Sequence, residues 1–246
     1  MNDAIEVPCY GQGHWLRGDD GGGLCGGAPL GSLISPPSSL LAQQLIDLTL
    51  ADEAVLAGVA QRSTIHENGF AKIPLRLSPT TSIRLHIWQG CDRPLRDENI
   101  HDHRFSFQSC VLVGALEHQF WHSHSEGEFQ SRFDYYPADH CGSYRLIYFG
   151  EEQLAPLGAK RILAGERYSI AAGELHQVRA IEPNSVTLLV EDRSQLLPSA
   201  RVYSKRYERA HMEIKARRLS ASDCAILLRN VEVMLTLRAS RPSPID

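Results

Sequence analysis

The chain has 246 residues, of which 43% are hydrophobic and 22% charged, proportions typical of a globular protein with one large domain or two small ones. Its formal net charge of −4 argues against nucleic-acid binding, and no apolar run is long enough to span a membrane. The six cysteines form no CxxC pair and the N-terminus lacks a secretion-signal pattern, so we expect a cytoplasmic protein with reduced thiols.

Two segments precede the main domain. Residues 1–37 are rich in glycine and proline and bury too little apolar surface to order themselves, which predicts a flexible N-terminal segment. Residues 38–69 are predicted to be a helical lead-in, because apolar residues recur at helical spacing in "SSLLAQQLIDLTLADEAVLAGVA" and Ser38 or Ser39 can cap its start.

Residues 70–205 carry short β-rich runs between turn residues and no long helical stretch, which indicates an antiparallel sandwich or barrel. The runs are "SIRLHIW", "SFQSCVLVGAL", "EFQSRFDYY", "YRLIYFG", "KRILA", "RYSIAAG", "HQVRAI" and "SVTLLVED". Residues 206–246 are predicted to be a helical tail, because "SASDCAILLRNVEVMLTL" is helical in pattern and has a cap near Ser220 or Ser222.

A pair of histidines, His101 and His103, stands at the start of one β-rich run. Residues two apart in a strand point to the same face, so two such imidazoles can bind one ion. The pair alone is weak evidence, because His122 and His124 repeat it beside Gly127. There we expect a hairpin turn with a solvated histidine pair.

Two spaced patterns distinguish the first pair. Three residues separate His103 from Phe107, and six separate Phe107 from Gly114. The second pattern is Gly, five residues, Ala, one residue, Gly, two residues, His, at Gly165, Ala171, Gly173 and His176. Together they resemble the two motifs of the cupins, which are small jelly-roll barrels, with Phe107 in the place of a glutamate and Ala171 in the place of a proline.

The resemblance implies an all-β fold, a cupin double-stranded β-helix or jelly-roll barrel over residues 70–205, with N-terminal and C-terminal helices. It also implies that His101, His103 and His176 are metal ligands. Three neutral imidazoles leave a divalent ion its full charge, which favours an anionic or chelating substrate. Imidazole suits Fe, Zn, Ni and Cu alike, so the ligand set by itself does not select the metal.

A closer resemblance favours Fe(II). The stretches "SIRLHIWQGCDRPLRDENIHDH" and "GELHQVRAIEPNSVTLLVED" are similar to the cysteine dioxygenase branch of cupins, which adds dioxygen to a small thiol at a three-histidine ferrous centre. The Ser-His-Tyr relay of that branch falls here on Thr187, Leu189 and Glu191, which argues against a plain cysteine dioxygenase. The carboxylate-binding arginine of that branch falls near Lys72, with Arg76 as the other candidate.

The run "SIRLHIW" alternates between two faces. One face carries Ile83, Leu85 and Ile87, and the other carries Arg84, His86 and Trp88. The resemblance places the Trp88 face in the cavity, where buried Arg84 and His86 need a substrate anion or an internal acid such as Glu191. The usual apolar-inward pattern predicts the reverse, with Arg84 and His86 on a solvated outer face. The sequence leaves both orientations open.

The predicted site contains further side chains with assigned roles. Arg84 or Lys72 would bind a substrate carboxylate, and Glu191 would bind an amine or shuttle a proton. The side chains expected to line or serve the cavity besides these are His86, Trp88, Phe105, Phe107 and Tyr168. Strand parity turns Cys110 away from the metal. His118 and His140 have no partner pattern and are interpreted as surface or structural residues.

The leading hypothesis is therefore a mononuclear non-haem Fe(II) oxygenase or oxidase of the thiol-dioxygenase-like cupin type. Its partners would be dioxygen and a small thiol or amino-acid-like substrate, which the metal brings together. One alternative is a Zn- or Ni-dependent isomerase, lyase or hydrolase with Glu191 as general base. Another is a non-catalytic, ligand-binding cupin. The C-terminal helix is also a candidate contact in a homodimer.

Overall fold

The structure is a computed structural model that describes residues 36–66, 69–89, 99–137 and 143–240. The predictions for residues 1–35 and for His140 concern positions outside these ranges. The described helices are α1 (Ser39–Leu50), α2 (Glu53–Arg62) and α3 (Ala221–Ala239). Not one of these three helices is long and apolar enough to cross a membrane.

Side-chain caps set the start of each helix, as the sequence pattern predicts. The Ser38 hydroxyl accepts a hydrogen bond from the Leu41 amide at 3.2 Å, and the Asp52 carboxylate accepts from two first-turn amides of α2. Ser220 and Asp223 form a reciprocal capping box at the start of α3. These bonds satisfy amides that have no partner within the helix.

The described strands form two sheets in which all pairings are antiparallel. The strands are β1 (Thr64–Ile65), β2 (Phe70–Leu77), β3 (Thr81–Trp88), β4 (Ile100–His101), β5 (Ser106–Val113), β6 (Ala115–Pro137), β7 (Ser143–Leu163), β8 (Arg167–Ile170), β9 (His176–Ala180), β10 (Val186–Asp192), β11 (Ala200–Ser204), β12 (Met212–Lys215) and β13 (Arg217–Arg218). One sheet has the order β13-β1-β2-β3-β10-β5-β8 and the other β11-β4-β9-β6-β7-β12. The predicted all-β jelly-roll fold is confirmed.

Strand β6 is longer than the sequence pattern predicts, and it pairs with three other strands, β7, β9 and β11. Its first half pairs with β9 and its second half with β11, so β6, β9, β4 and β11 form a closed circuit. Ser123 and Glu128 both face Leu154 of β7, which makes the segment between them a bulge. The predicted hairpin turn at Gly127 is therefore wrong. A Cβ atom at Gly127 would lie 2.4 Å from the Leu154 carbonyl carbon, so glycine allows the bulge to lie close to β7.

Both faces of β3 are buried. Ile83, Leu85 and Ile87 belong to a core that contains residues of all three helices, whereas Trp88 belongs to a second core with residues of β5 and β10. The side chain of Arg84 is also buried, on the face that Trp88 occupies. The apolar face therefore lies beneath the helices and the polar face points into the barrel, which decides between the two orientations left open by the pattern.

Gly114 makes the turn between β5 and β6. Its φ of +76° is in the left-handed region, and a Cβ atom there would lie 2.3 Å from the Ser185 hydroxyl oxygen. That hydroxyl donates to the Ala115 carbonyl and accepts from the Ala115 amide, both at 3.1 Å. The glycine of the first motif is therefore explained by a close backbone approach.

Candidate metal centre

Three histidines converge inside the fold. His101 ends β4, His103 lies in the loop before β5, and His176 begins β9. The register of β4 and β9 places His101 opposite His176. The three ring centroids are 4.6 to 5.1 Å apart, and one ring nitrogen from each lies within 4.8 Å of the others. The structure thus brings together the three residues that the two motifs indicate.

Backbone carbonyl groups orient two of these rings. The Nδ1 atom of His101 lies 2.8 Å from the Asn99 carbonyl oxygen, and that of His176 lies 3.2 Å from the Glu174 carbonyl oxygen. A carbonyl oxygen can only accept a hydrogen bond, so Nδ1 carries the proton in both rings. The Nε2 atom of each ring is left with a free lone pair, which is the form that binds a metal ion.

Burial keeps the three imidazoles neutral. It lowers the pKa of His103 and His176 well below the usual range. Burial also lowers the pKa of His101, although the bond to Asn99 and the charge of Asp102 oppose the effect. Neutral, convergent and oriented nitrogen ligands fit one divalent ion. Fe, Zn, Ni and Cu all suit this ligand set.

An ion pair between buried Asp102 and half-buried Arg201 connects the two histidine motifs. Asp102, between the first two ligands, accepts hydrogen bonds from the backbone amide and the Nε atom of Arg201, each at 2.6 Å. Arg201 also donates to the Gly173 carbonyl at 2.7 Å, and the Gly173 amide donates to the His103 carbonyl at 3.0 Å. Arg201 and Asp102 were not among the residues predicted from the sequence. Strand alternation was the available signal, because it turns Asp102 to the side opposite His101 and His103.

A cavity of about 160 Å³ adjoins the three histidines. The rings of Phe105 and Phe107 lie 5.3 and 5.0 Å from the His103 ring. The other aromatic side chains along the cavity are Phe70, Trp88, Tyr135, Tyr144 and Tyr168. Phe107 therefore places a hydrocarbon ring beside the ligands at the motif position where cupins carry a carboxylate.

Arg84 and His86 both line this cavity and bond to each other. Arg84 forms a buried ion pair with Glu191, and its Nε atom donates to the Nε2 atom of His86 at 2.9 Å. Since Nε2 of His86 accepts, the imidazole is neutral and its proton is on Nδ1. Removing either partner of the ion pair would leave a buried charge, at a cost of about 3–5 kcal/mol. Glu191 is thus the internal acid that buried Arg84 requires.

Lys72 lies directly opposite His86 in the register of β2 and β3 and also lines the cavity. The positive charge of Arg84 is the largest cause lowering its pKa from 10.5 to about 7, burial adds to that effect, and Glu191 opposes it. The ammonium group of Lys72 makes no hydrogen bond or ion pair within the described part of the chain. The alternative carboxylate ligand, Arg76, is exposed on β2.

His118 is fully buried, which excludes the surface interpretation and leaves the structural one. Its ring lies 4.5 Å from the ring of Tyr168 and 5.9 Å from that of His176, and burial lowers its pKa to about 3. His118 and Tyr168 both line the cavity. Cys110 belongs to the core beneath the helices, on the side away from the histidines, as strand parity predicts.

The two antiparallel sheets and the three converging histidines define the class of protein, a jelly-roll barrel with a histidine cluster that could hold a metal ion. No model of a known protein family matches the chain, and no curated protein matches its sequence.

Several solved structures are similar to the chain. KdgF from Halomonas sp. is 13% identical with a TM-score of 0.34, over 54% of this chain and 88% of that one. A RmlC-like cupin from Shewanella frigidimarina is 11% identical with a TM-score of 0.32, over 54% and 83%. Hydroquinone 1,2-dioxygenase PnpCD, in complex with Cd²⁺ and 4-hydroxybenzonitrile, is 18% identical with a TM-score of 0.33, over 56% and 71%. Similarity at this level carries no argument about activity.

Proposed function

We propose that this protein is a mononuclear metal-dependent oxygenase that uses Fe(II) to oxidise a small anionic metabolite with dioxygen. One observation carries the proposal: His101, His103 and His176 converge with neutral rings, two of them oriented by backbone carbonyls. The choice of iron is supported by the resemblance of the "IHDH" region to the thiol-dioxygenase-like cupins. Bound iron would supply a Lewis-acidic centre for the substrate and electrons for dioxygen.

The residues around the cavity would perform three tasks. Lys72 and His86 present hydrogen-bond donors to the cavity and would hold the substrate anion beside the metal. Phe105 and Phe107 would exclude water from the histidines, since their rings contact His103. Tyr168 would limit the cavity depth, because its ring packs against Phe107 and its side chain is buried.

The alternative metal-dependent hydrolase or isomerase needs a general base, for which Glu191 is the candidate from sequence. Its carboxylate is buried and paired with Arg84, and Glu191 is not among the described residues that line the cavity. A carboxylate held in this way is a counter-ion for a buried cation and is not free to accept a substrate proton. The ion pair therefore favours the oxygenase over this alternative.

Metal analysis and oxygen consumption test the proposal. The purified protein, and the same protein reconstituted with iron under anaerobic conditions, should bind close to one iron per chain and consume dioxygen only when a substrate from a panel of small carboxylates and thiols is present. His176→Ala should lose the metal, whereas His122→Ala, in the second histidine pair, should keep it. Zinc without oxygen uptake, or no metal at all, would contradict the proposal, as would a metal-replete His176→Ala.

A further inference from the structure

We infer that the cavity selects a ring-sized carboxylate that carries no ammonium group. This inference rests on the proposed function, because it names the substrate class of the same site. Three independent features of the cavity support it: its size and aromatic walls, its pair of free hydrogen-bond donors, and the engagement of its acidic group with an arginine.

The first feature is the match between the cavity and a planar ring. An apolar cavity of roughly 150 Å³ holds one benzene molecule, and the cavity beside the histidines measures about 160 Å³. Phe70, Trp88, Phe105 and Phe107 provide aromatic walls on which a ring can pack edge-on or offset. A short aliphatic substrate would leave much of this apolar surface without contacts.

The second feature is a pair of donors that face each other across two strands. Lys72 and His86 are register partners on β2 and β3, so their Cβ atoms lie about 5 Å apart on the cavity side. The Nδ1–H group of His86 and the ammonium group of Lys72 make no hydrogen bond among the described residues. A carboxylate can accept one bond from each of them. Arg84 is less suited to this role, since its Nη1 atom pairs with Glu191 and its Nε atom donates to His86.

The third feature is that the acidic group of the cavity is already engaged. Among the described residues that line the cavity, Asp102 is the one acidic side chain, and both of its oxygens accept bonds from Arg201. A substrate ammonium group would be removed from water beside Lys72 and the metal without a carboxylate to pair with it. The cavity therefore disfavours zwitterionic amino acids, including cysteine, by charge repulsion as well as by desolvation.

Three probes that share one ring separate these effects: phenylacetate, its neutral amide 2-phenylacetamide, and L-phenylglycine, which adds an α-ammonium group to phenylacetate. Calorimetric titration of the metal-free, full-length protein should show phenylacetate binding at least about tenfold more tightly than either of the others. Equal binding of L-phenylglycine, equal binding of the amide, or no binding of phenylacetate would each overturn the inference.

Variants locate the anion site. Lys72→Met should reduce the preference for phenylacetate over 2-phenylacetamide about tenfold, and Lys72→Arg should retain most of it. Lys215→Met removes an exposed lysine from β12 and should leave the preference unchanged. A Lys72→Met protein with the full preference would contradict the assignment, and the wild-type comparison decides the inference even if that variant does not fold.

Failure of this inference is distinguishable from failure of the proposed function, because the titrations need neither metal nor oxygen. Selective phenylacetate binding in a protein that never consumes oxygen would overturn the oxygenase alone. Iron-dependent oxygen uptake with L-cysteine, in a protein that does not bind phenylacetate, would overturn the substrate class alone.

Discussion

We expect charged Lys72 to lower the free energy of unfolding at neutral and acidic pH. Its replacement by methionine should raise the free energy of unfolding in that range. The positive charge of Arg84, followed by burial, lowers the Lys72 pKa from 10.5 to about 7. Each pKa unit corresponds to about 1.36 kcal/mol, so the fall corresponds to roughly 5 kcal/mol. Because water reaches part of this half-buried side chain, that value is the upper end of the expected effect.

The sign of the pH dependence follows from proton uptake. Between pH 7 and 10.5 the unfolded chain keeps the Lys72 proton while the folded protein has released it, so stability rises with pH in this window. Below pH 7 Lys72 is charged in both the folded and the unfolded state, and the full loss of folding free energy applies. Above pH 10.5 Lys72 is neutral in both states, and the loss of folding free energy disappears.

Urea unfolding of the metal-free wild type and of Lys72→Met, at several pH values from about 6 to 10.5, measures this difference. The difference in the free energy of unfolding should favour the variant by several kcal/mol at pH 6 and should shrink steadily above pH 7. Other titrating groups are common to both proteins and cancel in the comparison. Two stability curves that stay parallel across this range would refute the reasoning.

Two further predictions concern the framework around the site. Arg201→Gln should weaken metal affinity by roughly 10–100-fold, because the histidine motifs lose the arginine that bonds to both of them. Competition with a chelating dye measures this affinity, and Arg209→Gln, which breaks an exposed ion pair, is the control. Equal metal affinities of the two variants would exclude an anchoring role for Arg201. Gly114→Ala should lower the free energy of unfolding by more than about 2 kcal/mol, because the new Cβ would lie 2.3 Å from the Ser185 hydroxyl. Gly69→Ala, also at positive φ but with open space around it, should cost only about 1–2 kcal/mol, so equal losses would show that the close approach does not matter.

The local pattern of the chain predicts much of the fold. The capping residues Ser38 and Ser220 mark helix starts because a cap bonds to amides only two or three residues ahead. The resemblance of the two motifs to those of cupins implies His101, His103 and His176 as one cluster, and strand alternation predicts that Cys110 points away from it. The caps and the strand alternation are visible in the sequence because they involve residues close together in the chain. The motifs are visible because their spacing resembles that of a known family.

The orientation of β3 was not decidable from alternation, because alternation identifies two faces without saying what covers them. The sequence shows that Arg84 and Ile83 point in opposite directions. Only packing of the three helices against one sheet buries the Ile83 face and so leaves Arg84 inside the barrel. Arg84 can then lie inside the barrel because Glu191, on the neighbouring strand β10, forms an ion pair with it.

By itself, then, the sequence determined the helix starts and the β-rich barrel region, since these follow from short-range patterns, and its resemblance to the cupin motifs indicated the three candidate ligands. Tertiary structure alone decided that Arg201 joins Asp102 to the Gly173 turn and that Lys72 faces His86. Those contacts join residues far apart in the chain, and strand register and sheet closure bring them together. For the same reason the pairing of β6 with both β9 and β11, which closes four strands into a circuit, was visible only in three dimensions.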